Sequence, residues 1–497
     1  MSRVIIIGAG NAGLSAAIAA HQNGAEVTVL DRGPADGSGS DSFYTGGLFR
    51  VAYHSLQELE AIVGPLGMDA STGVERYSSY DEGEFLDDWG RVTGYRFDVD
   101  LAEEIVGESY ESISWLAEQG VPFLSGIIVD ANGQARHSRP GWHGGFVEVS
   151  GAGPGLMRGL LNAAAKHGFS IHNDTEVLEL EPAEGDRSVK VHARNGAGER
   201  VVYEADAVVL AAGGFQADSE WRTRCLGPGW DLAKVRASPF NTGAGIKMAM
   251  DLGASPHGNW SGAHAVAWSV GSGDAGHPST NHIFERESYP FGITINTSGR
   301  RFIDEGSDFG AYTYARYGRE ILRQPEQRAW QLFDARTAEH LMDEYKQSNP
   351  YAAREREDTL EALAKRLTDR GADGDEMLRT IAQFNDAVDE SQTFNPYIKD
   401  GRRTSGLEID KTNWAQALRE PPFEAYEVTC GITFTFGGVR VAGDGAVLDA
   451  GKRPLPGIYA AGEMVGGLYY FNYASGTGLT SGAVMGRRAG KAAAAAA

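Results

Sequence analysis

The sequence predicts an α/β protein in which both ends of the chain build one parallel-sheet domain and the middle forms a second, α+β region. Three observations carry this reading. The N-terminus runs from an apolar strand through a glycine turn into a small-residue helix. Two later segments, 206–215 and 457–463, repeat the pattern of an apolar strand entering glycines. Gly227-Pro228-Gly229 and Glu420-Pro421-Pro422 punctuate the chain on either side of the intervening stretch.

Val4-Ile5-Ile6-Ile7 is a continuous apolar run, the signature of a strand buried on both faces. Gly8-Ala9-Gly10-Asn11-Ala12-Gly13 follows, and Leu14 to Ala20 reads as a tightly packed helix that Asn23-Gly24 stops. Glu26 to Leu30 is then a second strand, ending at Asp31. Gly8 permits the tight turn, Gly10 lets a pyrophosphate approach the backbone, and Gly13 lets helix pack on strand. The helix N-terminus offers free N–H groups and a positive dipole end to the phosphates. Asp31 is placed to accept hydrogen bonds from a ribose diol. Together these elements predict a dinucleotide site.

Asp206 to Phe215 is another buried strand running into glycines, and Gly457 to Glu463 repeats it near the C-terminus. The glycine-rich stretch Asn472 to Gly482 follows, and a helix of about Thr480 to Ala494 closes the chain, with Ala492 to Ala497 expected to fray. A cofactor touched by the first thirty residues and again by the last forty is long and lies along the domain, which favours FAD over a nicotinamide dinucleotide. Gly151-Ala152-Gly153-Pro154-Gly155 follows no suitable strand and reads as a loop cluster, so a built-in NAD(P) domain is not expected.

The 497 residues allow about two to four domains. A composition of 42% apolar and 23% charged residues excludes a disordered, collagen-like or disulfide-stapled chain. A formal charge of −22 repels phosphate backbones and anionic lipid, so nucleic acid is not an expected partner. No stretch approaches the roughly 18 apolar residues of a membrane span. Cys225 and Cys430 cannot build a disulfide framework or a metal cluster, and no signal-peptide pattern opens the chain, so the cytoplasm is the expected compartment. His264 and His277 lie far apart without carboxylate spacing, so no metal is expected.

Several motifs resemble the flavoprotein family of succinate dehydrogenase and fumarate reductase, which also contains 3-ketosteroid dehydrogenases. Gly39 to Gly47 (GSDSFYTGG) is similar to the family's GGNSxxTGG loop; Asn241 to Ile246 resembles its NTGDGI segment, with Ala244 for the Asp; Ile295 to Glu305 resembles its INxxGxRFxxE hairpin. Thr380 to Val388 resembles a cap helix, and Ala460-Ala461-Gly462-Glu463 with Gly466-Gly467 the AAGE…GG turn. Asp304 to Phe309, Tyr312 to Arg319, Cys430 to Phe436 and Tyr473 to Gly482 bring the likeness nearest to tricarballylate dehydrogenases. The resemblance implies a Rossmann-like FAD-binding domain split in sequence, residues 1–228 and 431–497, with an inserted α+β capping domain at 229–430. Leu360 to Leu367 reads as one of the cap's amphipathic helices.

Cofactor contacts are accordingly expected at Gly8, Gly10, Asn11, Ala12, Gly13, Asp31 and Arg32; at Ser40, Ser42, Thr45, Gly46 and Gly47; at Val177, Ala211, Gly213 and Gly214; and at Gly462, Glu463, Gly478, Leu479 and Thr480. Tyr44 is expected to pack on the flavin. Ser40 occupies the slot of the histidine that attaches FAD in succinate dehydrogenases, which implies noncovalent FAD. The fumarate reductases' carboxylate-binding histidine and arginine correspond to Phe434 and Ala474 here, and their proton-donating arginine to about Phe309. Gly310 stands where tricarballylate dehydrogenases carry an arginine. What remains is tyrosine-rich, Tyr312, Tyr314, Tyr469, Tyr470 and Tyr473, with Arg286, Arg316 and His282 as further candidates; Tyr473, Tyr312, Tyr314 and Arg286 are the expected catalytic groups.

The implied activity is an FAD-dependent CH–CH oxidoreductase that desaturates a small organic acid or a ketone α,β to its carbonyl by hydride transfer to flavin N5. The alternatives are a cyclic-ketone or ketosteroid dehydrogenase using tyrosines for the proton, the reverse ene-reductase, and a non-catalytic flavoprotein. Reduced flavin then requires an external acceptor: oxygen, a quinone or an electron-transfer protein.

Overall fold

The computed structural model describes the chain apart from residues 67–76, 130–134, 183–187, 282, 347–353 and 497. A six-stranded sheet runs in the order Ala446–Leu448, Pro454–Ala460, Ala207–Leu210, Arg3–Ile7, Glu26–Leu30, Ser170–His172. Its four inner pairings are parallel, and the edge strand Ala446–Leu448 is antiparallel. Val4 to Ile7 are buried, as the unbroken apolar run requires of a central strand. Register places Ile7 beside both Leu30 and Leu210. Gly8, Asp31 and Ala211 therefore leave the sheet together at its carboxyl edge, where ligands bind in such folds.

Helix Asn11–Gln22 packs against the closing helix Thr477–Ala495 almost backbone to backbone. A Cβ on Gly486 would stand 2.3 Å from the Ala12 carbonyl oxygen, and one on Gly490 2.2 Å from that of Ala16. This contact explains the alanine and glycine content of both helices. The closing helix starts three residues before the expected Thr480, because Gly476 takes the left-handed conformation that ends the preceding loop. The helix runs to Ala495, with Ala493 buried and the Ser2 hydroxyl donating to the Ala494 carbonyl.

The middle of the chain adds a second sheet around the long strand Phe423–Val439. Its first half pairs with Ala329–Phe333 and Arg354–Glu357, its second with Pro256–Ser269 and Lys234–Val235. The expected seam between residues 430 and 431 falls inside this strand. Leu360–Asp369 and Gly374–Ala387 are amphipathic helices packed together over the sheet, matching the helical reading of 360–367 and 380–388 apart from Val388, which caps the second. The helix Gly310–Leu322 lies across Pro256–Ser269, with Gly318 against the Val266 backbone.

Gly490→Ala is expected to lose about 1–3 kcal/mol of stability through overpacking against Ala16. Gly107→Ala, where an added Cβ meets nothing within 4 Å, stays within about 0.5 kcal/mol of the parent. Urea unfolding monitored by circular dichroism compares them.

Candidate active site

A cavity with about 1740 Å³ of space between atoms, part of it open to solvent, runs from the first glycine turn to an aromatic end beneath the inserted region. Its lining extends from Gly8, Gly10 and Asp31 at the sheet edge to Trp142, His264 and Tyr473 at the far end, the elongated shape that a long cofactor needs.

Three helices begin at this cavity: Asn11–Gln22, Ala244–Asp251 and Thr477–Ala495. Each has a glycine at its N-cap, no side-chain cap and no acid in its first turn. Such starts present N–H donors and positive dipole ends. The Asn11 N–H is taken by Ser42 Oγ at 2.9 Å and the Gly478 N–H by the Tyr473 hydroxyl, and the start of Asn11–Gln22, after the glycine turn, is the one suited to a pyrophosphate. At the end of the second strand, Asp31 is fixed by the Ala9 and Gly33 N–H groups, each 2.6 Å from a carboxylate oxygen. Asn11 donates to the Leu479 carbonyl at 2.8 Å, and its own amide oxygen is buried without a partner. A Cβ on Gly213 would strike the Asn241 amide at 2.2 Å, so only glycine keeps that wall of the cavity open. These groups fit FAD.

Farther along, Asp41 and Glu463 line the cavity as a buried acid pair bridged by one amide, the Gln216 Nε2, which donates to both. Asp41 also accepts from the Ser238 N–H at 2.8 Å, and Glu463 from that of Thr435 at 2.8 Å. Burial, and then the charge of Glu463, hold Asp41 well above the usual carboxylate range; burial pushes Glu463 up to about 7. The pair therefore shares a proton near neutrality.

The aromatic end is lined by Trp142, His264, Tyr314, Phe434, Tyr469 and Tyr473. The His264 ring lies 4.8 Å from that of Tyr314, 5.0 Å from Tyr473 and 5.1 Å from Phe434, centroid to centroid. Both its nitrogens are buried without a hydrogen-bond partner. Burial, and then nearby Arg236, drive its pKa well below the ordinary imidazole value, so the ring is neutral. The Tyr473 hydroxyl accepts from the Gly478 N–H at 2.9 Å, and that of Tyr314 reaches Ser475 Oγ at 3.4 Å. Burial raises both phenols, so each stays protonated and acts as a donor rather than a ready base. Four titratable groups complete this end: Arg139, Arg236, Glu285 and Glu287. Arg236 pairs with Glu285 and donates to Thr433 Oγ1 at 3.3 Å, while burial and the charge of Glu285 push Glu287 up to about 8.

Most of the residues expected from sequence to contact the cofactor line the cavity: Gly8, Gly10, Asn11, Ala12, Asp31, Arg32, Ser40, Ser42, Thr45, Gly46, Val177, Ala211, Gly213, Gly462, Glu463, Gly478 and Leu479. Tyr44, Tyr314 and Tyr473 do so as well. Four expected positions stand behind the wall. A Cβ on Gly13 would meet the Gly8 carbonyl at 1.9 Å, one on Gly214 the Glu463 carboxylate at 2.0 Å, and one on Gly47 the Ala152 backbone at 2.9 Å; Thr480 donates to the Arg50 carbonyl. These residues shape the site without facing it.

Two expected catalytic groups lie elsewhere. The Tyr312 hydroxyl donates to Asp88, which also takes hydrogen bonds from Arg50 and Tyr80, in a separate buried network. Arg286 donates to the Ile283 and Glu285 carbonyls at 3.2 and 2.6 Å, with its guanidinium against the Tyr345 and Tyr426 rings. His282 lies outside the described residues. Sequence reasoning missed His264 as a site residue, along with Arg139, Arg236, Glu285 and Glu287. Among the described residues, no cluster of His, Cys, Asp and Glu is arranged to hold a metal ion, and no helix is long and apolar enough to cross a membrane.

A family model described as an FAD binding domain matches residues 3–479. Along 98% of its length the chain is 28% identical to the probable fumarate reductase Ifc3 of Shewanella frigidimarina, covering 74% of that protein. Its fold is similar to the open conformation of a flavocytochrome c3 fumarate reductase, with a TM-score of 0.74 at 24% identity over 100% of this chain and 78% of the other. It is also similar to the 3-ketosteroid-delta4-(5alpha)-dehydrogenase of Rhodococcus jostii RHA1, with a TM-score of 0.69 at 23% identity over 99% and 97% of the two chains.

Gly10 has an extended backbone that accepts a side chain, and an added Cβ would come no nearer than 3.3 Å to Ser42. Gly10→Val is expected to fold yet lose roughly tenfold or more in FAD affinity, because the branched side chain enters the path of the pyrophosphate. Flavin absorbance per chain after dialysis, set beside an unchanged melting temperature, checks this.

Proposed function

The chain belongs to the FAD binding domain family, and from that premise we propose that it exchanges a hydride and a proton across two adjacent carbons of a substrate α,β to a carbonyl or carboxyl group. It is an FAD-dependent oxidoreductase acting on CH–CH groups. The observation that carries the proposal is one continuous cavity whose nucleotide end is built for a dinucleotide and whose far end holds an unpartnered neutral imidazole among protonated phenols.

FAD, when bound, supplies hydride exchange at the N5 position of its ring system. Gly10, Asn11, Asp31 and the start of the first helix would hold its nucleotide half, and Asp41 and Glu463 would accept hydrogen bonds from hydroxyl groups along its length. Tyr314 and Tyr473 donate to the substrate carbonyl oxygen, which draws electron density from the neighbouring carbon and acidifies its C–H. His264, neutral and with both nitrogens free, takes that proton in desaturation or returns it in reduction. Phe434 and Trp142 keep water from the reacting carbons. Phe434 and Ala474 offer no charge to a second carboxylate, which argues against a small dicarboxylate such as fumarate or succinate. The remaining choice lies between a monocarboxylic acid and a cyclic ketone. Reoxidation of the flavin requires an external acceptor: oxygen, a quinone or an electron-transfer protein.

His264→Ala is expected to lower kcat by about 10²–10⁴-fold with flavin content unchanged, and Tyr473→Phe to lower it by a smaller factor. Because His264 titrates below the ordinary imidazole value, the acid limb of the desaturation rate lies below about pH 6.5. Anaerobic stopped-flow flavin reduction by saturated acids and cyclic ketones, across pH, measures both; a His264→Ala enzyme with the parent rate removes the imidazole from the mechanism.

A further inference from the structure

Arg139 stands at the aromatic end with most of its hydrogen-bonding capacity unspent. Its Nε faces Glu148 at 3.4 Å, and no protein group among the described residues takes a hydrogen bond from either Nη atom. Glu148 is itself engaged by the Ser138 hydroxyl at 2.6 Å. The guanidinium lies 5.4 Å from the Trp142 ring, and its Nη2 is the nearest heavy atom, at 3.8 Å, to a Cβ built on Gly46. The fork is thus directed at a loop that lines the cavity.

Four acids face this guanidinium, Glu148, Glu344, Glu285 and Glu287, and among the described residues only Glu148 lies within ion-pair distance of it, at the Nε edge. Arg236 is paired with Glu285, and Glu287 is largely protonated at neutral pH. Beside Arg139 the wall is aromatic without interruption: Trp142 lies 5.4 Å from Tyr314, Tyr314 4.8 Å from His264, and His264 5.1 Å from Phe434. A flat apolar surface next to a planar, always-charged donor suits a ligand with the same two parts.

We propose that this end of the cavity selects a ring-bearing carboxylate, with the ring against Trp142, Tyr314 and Phe434 and the carboxylate held by the two Nη atoms of Arg139. The assignment rests on the oxidoreductase reading and narrows it: the substrate carries both the ring and the acid that the sequence left as alternatives. Arg139, Arg236, Glu285, Glu344, Tyr289, Tyr314 and Tyr345 are the titratable groups that face Glu287. As Glu287 ionises above about pH 8 it adds negative charge beside the bound anion, so carboxylate binding weakens with rising pH.

The test uses the purified flavin-loaded enzyme and three unreactive probes: benzoate, benzamide and acetate. Binding is read by calorimetry and by the flavin difference spectrum. Benzoate is expected to bind about tenfold or more tightly than either of the others, and less tightly above pH 8. Arg139→Gln removes the advantage of benzoate over benzamide, and Arg139→Lys restores part of it, both at the parent's flavin content. Benzamide binding as tightly as benzoate overturns the anion anchor, and acetate doing so overturns the ring wall. Should the probes follow the expected order while no acid or ketone changes the flavin's redox state, the reaction falls and the subsite stands; flavin turnover with no preference among probes does the reverse.

Discussion

The packing of the first helix directly on the last is the constraint from which the rest of the structure follows. Ala12 and Ala16 meet Gly486 and Gly490 with no side chain between them, so residues more than 450 positions apart share one wall. That contact brings Asn11 onto the Leu479 carbonyl and sets two helix N-termini side by side at the sheet edge. It also fixes where the chain turns before the closing helix, and hence where Tyr473 and Ser475 enter the cavity. A larger side chain on either helix would separate the nucleotide end from the aromatic end. The glycine content of the two termini is a packing requirement as much as a cofactor requirement.

The nucleotide half of the site was legible because its determinants are local. Strand, turn, helix and acid follow one another within thirty residues, and backbone geometry alone assigns each glycine its task. Gly13 and Gly214 show the limit even there: they are needed by the fold, yet they press on neighbouring backbone or side chain and face away from the cavity. The substrate end was legible only in composition. Tyr312 and Tyr314 sit two residues apart on one helix and so point to nearly opposite sides, and the sequence does not supply the phase. The same holds for Glu285, Arg286 and Glu287 in an extended segment: the two acids reach the cavity and the arginine between them turns away. His264 gave no signal, because its neighbours Tyr314, Phe434 and Tyr473 come from three separate parts of the chain.

Burial governs the chemistry of the groups that do converge. It keeps His264 neutral, keeps the phenols protonated, and leaves a proton on the Asp41–Glu463 pair and on Glu287. Each shift favours the uncharged form, as expected where water is scarce. Arg236 is buried against Glu285, whose charge, with that of Glu287, offsets the cost of its burial. The result is an apolar wall whose titratable neighbours are mostly uncharged or paired, beside which the two Nη atoms of Arg139 have a large effect on what binds.

The most direct measurement is a crystal structure of the flavin-loaded protein. The account predicts one FAD per chain, its pyrophosphate at the start of helix Asn11–Gln22 and its ring system within contact distance of His264 and Tyr473. Flavin density in the opposite orientation, or a protein that stays colourless after incubation with FAD, would contradict it.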